Sequence, residues 1–204
     1  SSIATGTFTS LWDFDDGRSS TLRSPGNTYA AIGSYDVNLS LTSNFGCTDA
    51  VTKTVVIHSN PVADFTTANV CDGVAASFTD GSSIATGTFT SLWDFDDTNT
   101  STLTSPINTY AAIGSYDVNL SLTSNFGCTD AVTKTVVIYP NPVADFTTAN
   151  VCDGVAASFT DGSSIATGTF TSLWDFDDGR SSTLRSPGNT YAAIGSYDVN
   201  LSLT

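Results

Sequence analysis

The sequence runs to 204 residues, 40% apolar and 11% aromatic, which is enough to build packed cores and excludes a disordered chain. Twenty acidic residues, all Asp, stand against six basic ones for a net charge of -14, so nucleic acid and anionic membranes are excluded as partners because phosphates would meet little counter-charge. Glu, Gln and Met are absent while Thr, Ser, Val, Phe and Tyr abound, and an all-β fold is expected.

In chain order, Ser1, Ser82 and Ser163 each open the run "SSIATGTFTSLWDFDD", a period of 81 residues and about two and a half repeats. The first two copies differ at seven positions: Gly17/Thr98, Arg18/Asn99, Ser19/Thr100, Arg23/Thr104, Gly26/Ile107, His58/Tyr139 and Ser59/Pro140. Five lie in one loop and two in a linker, and the third copy follows the first, so two repeat types are expected to alternate. "IHSNP" and "IYPNP" end β-rich runs, and Pro fixes the next entry. The boundaries that follow are a partial domain at 1–58 lacking its first strands, a complete domain at 60–139, and a partial domain at 141–204 lacking its last strand. With no initiator Met and no signal-peptide pattern, the sequence reads as a window on a longer chain.

Within the complete unit, "PVADF", "VAASFTD", "TSLWDFD", "SYDVNLSLT" and "DAVTKTVVI" read as strands by alternation. Val74, Ala76 and Phe78 are placed on one face, as are Tyr116, Val118, Leu120 and Leu122. "DGSS", "TSPIN" and "SNFG" read as turns. About seven short strands in one period predict an Ig-like antiparallel sandwich. The linkers are too short for a flexible tether, and Pro140 and Pro142 stiffen the second.

"PVADF" (Pro61 to Phe65), "WDFDD" (Trp93 to Asp97), "SPINTY" (Ser105 to Tyr110) and "GSYDVNL" (Gly114 to Leu120) resemble the landmarks of the PKD (polycystic kidney disease) domain family. Two departures stand out. Asp15, Asp96 and Asp177 occupy the place of the family's first Gly, and Thr98 that of its second; Asp tolerates left-handed backbone better than most residues. The resemblance implies a β-sandwich used as a spacer or adhesion module of surface and secreted proteins, without catalysis.

The motif "LWDFDD" admits three readings. In the first, Trp93 and Phe95 fill the core while the Asp residues cap the following turn. In the second, Asp94, Asp96 and Asp97, with Asp13, Asp15 and Asp16 in the first copy, hold calcium, as the resemblance implies for some members; no cofactor is otherwise required. In the third, two carboxylates act as an acid/base pair, but a turn beside a strand edge offers no pocket to raise a pKa. His58 sits in a linker and becomes Tyr139 one period later, so no Ser/His/Asp set repeats with the fold.

Other residues bear on assembly. Arg18, Arg23, Arg180 and Arg185 fall in the variable loop and are candidate contacts to an acidic surface of a neighbouring repeat. Phe45 and Phe126 are candidate anchors for the next domain or sugar-stacking aromatics. Asn38, Asn119 and Asn200 in "NLS" and Asn99 in "NTS" are N-glycosylation sequons. Cys47, Cys71, Cys128 and Cys152 recur in register without the close pairs a zinc site needs, which points to disulfides and an oxidising setting. The two bends that carry them lie at opposite ends of an Ig-like sandwich, so staples between successive or neighbouring domains are favoured, with an intra-domain bond as the alternative.

The expected function is therefore a non-enzymatic, extracellular or cell-surface repeat protein. Copies of itself are its partners, set head to tail as a stiff stalk or a self-assembling filament. The alternative is an adhesin or carbohydrate-binding spacer of a secreted hydrolase, with surface glycans as partners.

Overall fold

The computed structural model describes residues 6–204, so the first five residues of the first repeat lie outside it. The described chain is all-β, as its composition requires, and no helix in it is long and apolar enough to cross a membrane. In the first repeat a four-stranded sheet runs in the order Ser19–Ser20, Phe8–Asp13, Gly33–Ser43, Thr48–Ile57. In the second a five-stranded sheet follows the same order: Thr100–Ser101, Phe89–Asp94, Gly114–Ser124, Thr129–Tyr139, and then Val70–Cys71. The last pair is parallel, with Ile138 opposite Val70 and Tyr139 opposite Cys71. The third repeat supplies Ser181–Ser182, Ser172–Asp175 and Asn200–Leu203. Short antiparallel pairs such as Phe65–Thr66 with Thr79–Asp80 complete the second layer.

The chain divides into two compact units. One comprises Ser1–Asp64, Gly81–Leu92 and Leu120–Val132; the other comprises Phe65–Asp80, Trp93–Asn119 and Thr133–Thr204. In the second unit Trp93 is fully buried, with Phe65 edge-on at 5.0 Å, Phe78 at 5.8 Å and Phe95 stacked at 6.4 Å. Its indole Nε1 donates to the Leu103 carbonyl at 2.9 Å, which satisfies the one polar atom of the ring. The same constellation recurs around Trp174 with Phe146, Phe159 and Phe176. Alternation thus places Trp and Phe inward and Asp94 and Asp96 outward.

Val74 is the exception: it is exposed, whereas Ala76 and Phe78 are buried. The chain is still turning there, since the Val74 amide donates to the Cys71 carbonyl, and the strand alternation starts only beyond it. In the first repeat Val55 is exposed although its counterpart Val136 is buried.

Candidate functional site

Two regions carry the side chains singled out above: the acidic turn after the Trp strand, and the junction between repeats.

In the acidic turn each carboxylate is used by the backbone. Asp13 accepts from the Asp15 amide at 3.1 Å, and Asp16 accepts from the Arg18 amide at 3.0 Å and from Asn27 Nδ2 at 2.8 Å. Asp15 adopts φ 62°, Asp96 61° and Asp177 60°, the left-handed backbone of the glycine they replace. These Asp residues also do what glycine cannot. Their carboxylates accept from the amides of Asp36, Asp117 and Asp198 at 3.0 to 3.1 Å, tying the turn to a segment 21 residues later. Among the described residues no group of three or more His, Cys, Asp or Glu side chains is arranged to hold a metal ion. Asp94, Asp96 and Asp97 accept backbone amides in the same way as Asp13, Asp15 and Asp16.

Thr98 carries φ 76°, where the other copies have Gly17 and Gly179 at φ 82° and 80°. A β-branched residue in this region is strained by about 1–2 kcal/mol. No atom crowds the open side of either glycine, so the conformation alone sets the cost. Thr98→Gly should raise stability by about 1 kcal/mol, seen as a higher denaturant midpoint at unchanged slope. No shift in midpoint would mean that Thr98 is unstrained.

The arginines turn into their own repeats. Arg18 Nη1 donates to the Thr28 carbonyl at 2.7 Å, and Arg180 Nη1 to the Thr190 carbonyl at the same distance. Arg185 pairs with Asp161 at 3.2 Å, and Arg23 lies over the Phe8 ring at 5.7 Å. Where the middle repeat has Asn99, its Nδ2 donates to Asp97 at 3.0 Å, so a smaller residue closes the same loop. Carbonyl and carboxylate acceptors of the same repeat thus lie within reach of Arg18, Arg180 and Arg185.

Hydrogen bonds also depress several carboxyl pKa values. The Asn27 amide holds Asp16, and the Asn189 amide holds Asp178, below the ordinary 3.8; Ser163 does the same for Asp161, with Arg185 adding to it. A carboxyl that ionises more readily in the folded chain stabilises it above about pH 4, and this stabilisation is lost as pH falls through the lowered value. The melting temperature should accordingly fall from pH 5 towards pH 2. A flat profile would show that these bonds do not persist in solution.

The sequons are engaged as well. Asn38 Nδ2 donates to Thr52 Oγ1 and Asn119 Nδ2 to Thr133 Oγ1, each at 2.9 Å across neighbouring strands. Asn200 accepts from Ser202 at 3.0 Å, and the Asn99 amide is committed to its loop. Shallow grooves beside Phe8 and Phe170 are lined by Thr, Ser and one Arg each, with no carboxylate.

At the junction, the first repeat's last strand ends at Ile57 and the next strand begins at Pro61. His58 stacks on Phe126 with ring centroids 3.6 Å apart and planes within 5°. Ser59 is buried, its Oγ 3.0 Å from Thr86 Oγ1 and accepting from the Thr86 amide at 3.1 Å. Phe126 thus receives the linker that precedes its own repeat. Phe45 is 78% exposed against 45% for Phe126.

The cysteines occupy the two ends of a repeat. Cys71 lies beside Tyr139, and Cys128 immediately precedes the strand Thr129–Tyr139, held in its turn by a bond from its amide to Ser124 Oγ at 3.0 Å. All four thiols are free; Cys47, Cys71 and Cys152 are exposed and Cys128 is half-buried.

The PKD domain profile matches residues 2–59, 58–140 and 139–204, nearly the whole chain. The chain belongs to the PKD domain family. A stretch of 47 residues is 51% identical to a microbial collagenase of Vibrio alginolyticus, covering 23% of this chain and 6% of that protein. The chain therefore spans a small fraction of that relative's length. Among solved structures it is similar to the PKD1 domain of Vibrio anguillarum Epp: 29% identity, 40% of this chain and 96% of that one, TM-score 0.37. It is also similar to the PKD1 domain of the Vibrio cholerae metalloprotease PrtV: 32% identity, 39% and 96%, TM-score 0.36.

Proposed function

We propose that these tandem PKD domains are a structural element of an extracellular protein, set head to tail as a stiff stalk or a self-assembling filament. The observation that carries this reading is the junction. Only His58, Ser59 and Asn60 separate the strands of successive repeats, and the first two are engaged by Phe126 and Thr86 of the next repeat. A linker so short and so bonded transmits bending from one repeat to the next. With two repeat types alternating, a contact of this kind recurs at every second period, which makes length a matter of repeat number, and a heterologous contact propagates without closing. The glycine and aromatic residues that form the receptor, Gly87 and Phe126, recur as Gly6 and Phe45, so each repeat that precedes another finds the same socket.

Electron microscopy of the native protein tests it. Straight rods or fibres with a regular axial repeat are expected; single chains of beads bending freely between domains would overturn the proposal. The match to a microbial collagenase supports a second reading, a spacer beside a catalytic domain. The full-length gene decides between the two, by the presence or absence of a hydrolase domain.

A further inference from the structure

We infer that successive repeats are stapled by disulfides joining the Cys71-type cysteine of one repeat to the Cys128-type cysteine of the next. The inference rests on the head-to-tail reading and adds covalent chemistry to it.

A bond within one repeat is excluded by strand length. Cys71 pairs beside Tyr139 at one end of the 11-residue strand Thr129–Tyr139, and Cys128 precedes its other end. At about 3.3 Å per residue the two stand roughly 35 Å apart, whereas a disulfide needs Cα atoms within about 7 Å.

The period brings the two types together instead. Cys71 lies in register with Tyr139, and the Asp72 amide donates to the Tyr139 carbonyl at 2.8 Å. Tyr139 holds the place of His58 one repeat earlier. His58 in turn rests on Phe126, two residues before Cys128. Aligned by the 81-residue period, the aromatic contact of a junction would lie between a Cys71-type thiol from the repeat behind and a Cys128-type thiol from the repeat ahead. In the assembled chain the bond forms by thiol–disulfide exchange. The two thiols give up two protons and two electrons to a small-molecule or protein disulfide of the extracellular medium, which is released as the dithiol.

The sequence supplies its own assay. The middle repeat has no Arg, so trypsin leaves Cys71 and Cys128 together in Thr54–Lys134, while Cys47 falls in Ser24–Lys53 and Cys152 in Thr135–Arg180. The native protein, alkylated without reduction, is digested and mapped by mass spectrometry. Staples between successive repeats give Thr54–Lys134 bonded to both a Ser24–Lys53-type and a Thr135–Arg180-type peptide. Direct linkage of those two to each other, an internally closed Thr54–Lys134, or free thiols throughout would each overturn the inference. Covalent multimers of the whole chain on a non-reducing denaturing gel would also overturn it, since they place the bonds between chains. Straight rods with free thiols would sink the staple and leave the proposed function standing, whereas flexible beads would sink the head-to-tail reading itself.

Discussion

Trp93→Ala should cost the middle repeat about 3–5 kcal/mol, lowering its melting temperature by more than about 10 °C. The ring is fully buried against Phe65, Phe78 and Phe95, three aromatics from different segments of the chain, so no one neighbour can collapse into the space it leaves. The substitution also strips the Leu103 carbonyl of the donor it has at 2.9 Å. An orphaned acceptor adds to the cavity cost. Leu92, the preceding residue in the same strand, is 51% exposed on the other face. Leu92→Ala should therefore change stability by no more than about 0.5 kcal/mol. Denaturant unfolding of the two variants measures the contrast, and a Trp93→Ala cost below 1 kcal/mol would mean that the aromatic cluster is not the core.

That contrast was legible in the sequence, because strand alternation is local and "LWDFD" states it without ambiguity. Asp in place of the family's first Gly was legible too, since the backbone conformation depends on the residue itself. Its second role was not. The amide that Asp96 caps belongs to Asp117, and nothing in either residue type announces a bond across 21 positions. Val74 misled for a related reason. Its apolar side chain fits the alternating pattern, but the turn closed by its amide on Cys71 delays the strand. The inward turn of Arg18 was hidden because its partner is a backbone carbonyl, which every residue carries. Phe126 was legible as a junction residue, but its contact with His58 was not. Which linker it meets depends on the end of the sandwich where its turn lies, a property of topology and not of the turn sequence.

Gly87→Ala should be more damaging than Gly73→Ala, although both glycines of the middle repeat have left-handed backbone, φ 92° and 80°. Left-handed geometry costs any L-residue about 1–2 kcal/mol at either site. At Gly73 an added Cβ meets no atom within 4 Å. At Gly87 it would lie 2.5 Å from Asn125 Oδ1 and 2.9 Å from Phe126 Cε2. Asn125 accepts from the Thr88 amide at 3.0 Å, so it cannot step aside without giving up that bond, and Phe126 cannot move without leaving His58. Overpacking of this kind adds about 1–3 kcal/mol, for a total near 2–4 kcal/mol at Gly87. The excess should shrink in a Phe126→Ala background, where the space is already open, and a double-mutant cycle isolates that part. Equal costs at the two glycines would mean that Phe126 yields freely to a single methyl group. A ring that yields so readily could not transmit bending through His58, and the stiffness attributed to the junction would have to come from elsewhere in the linker.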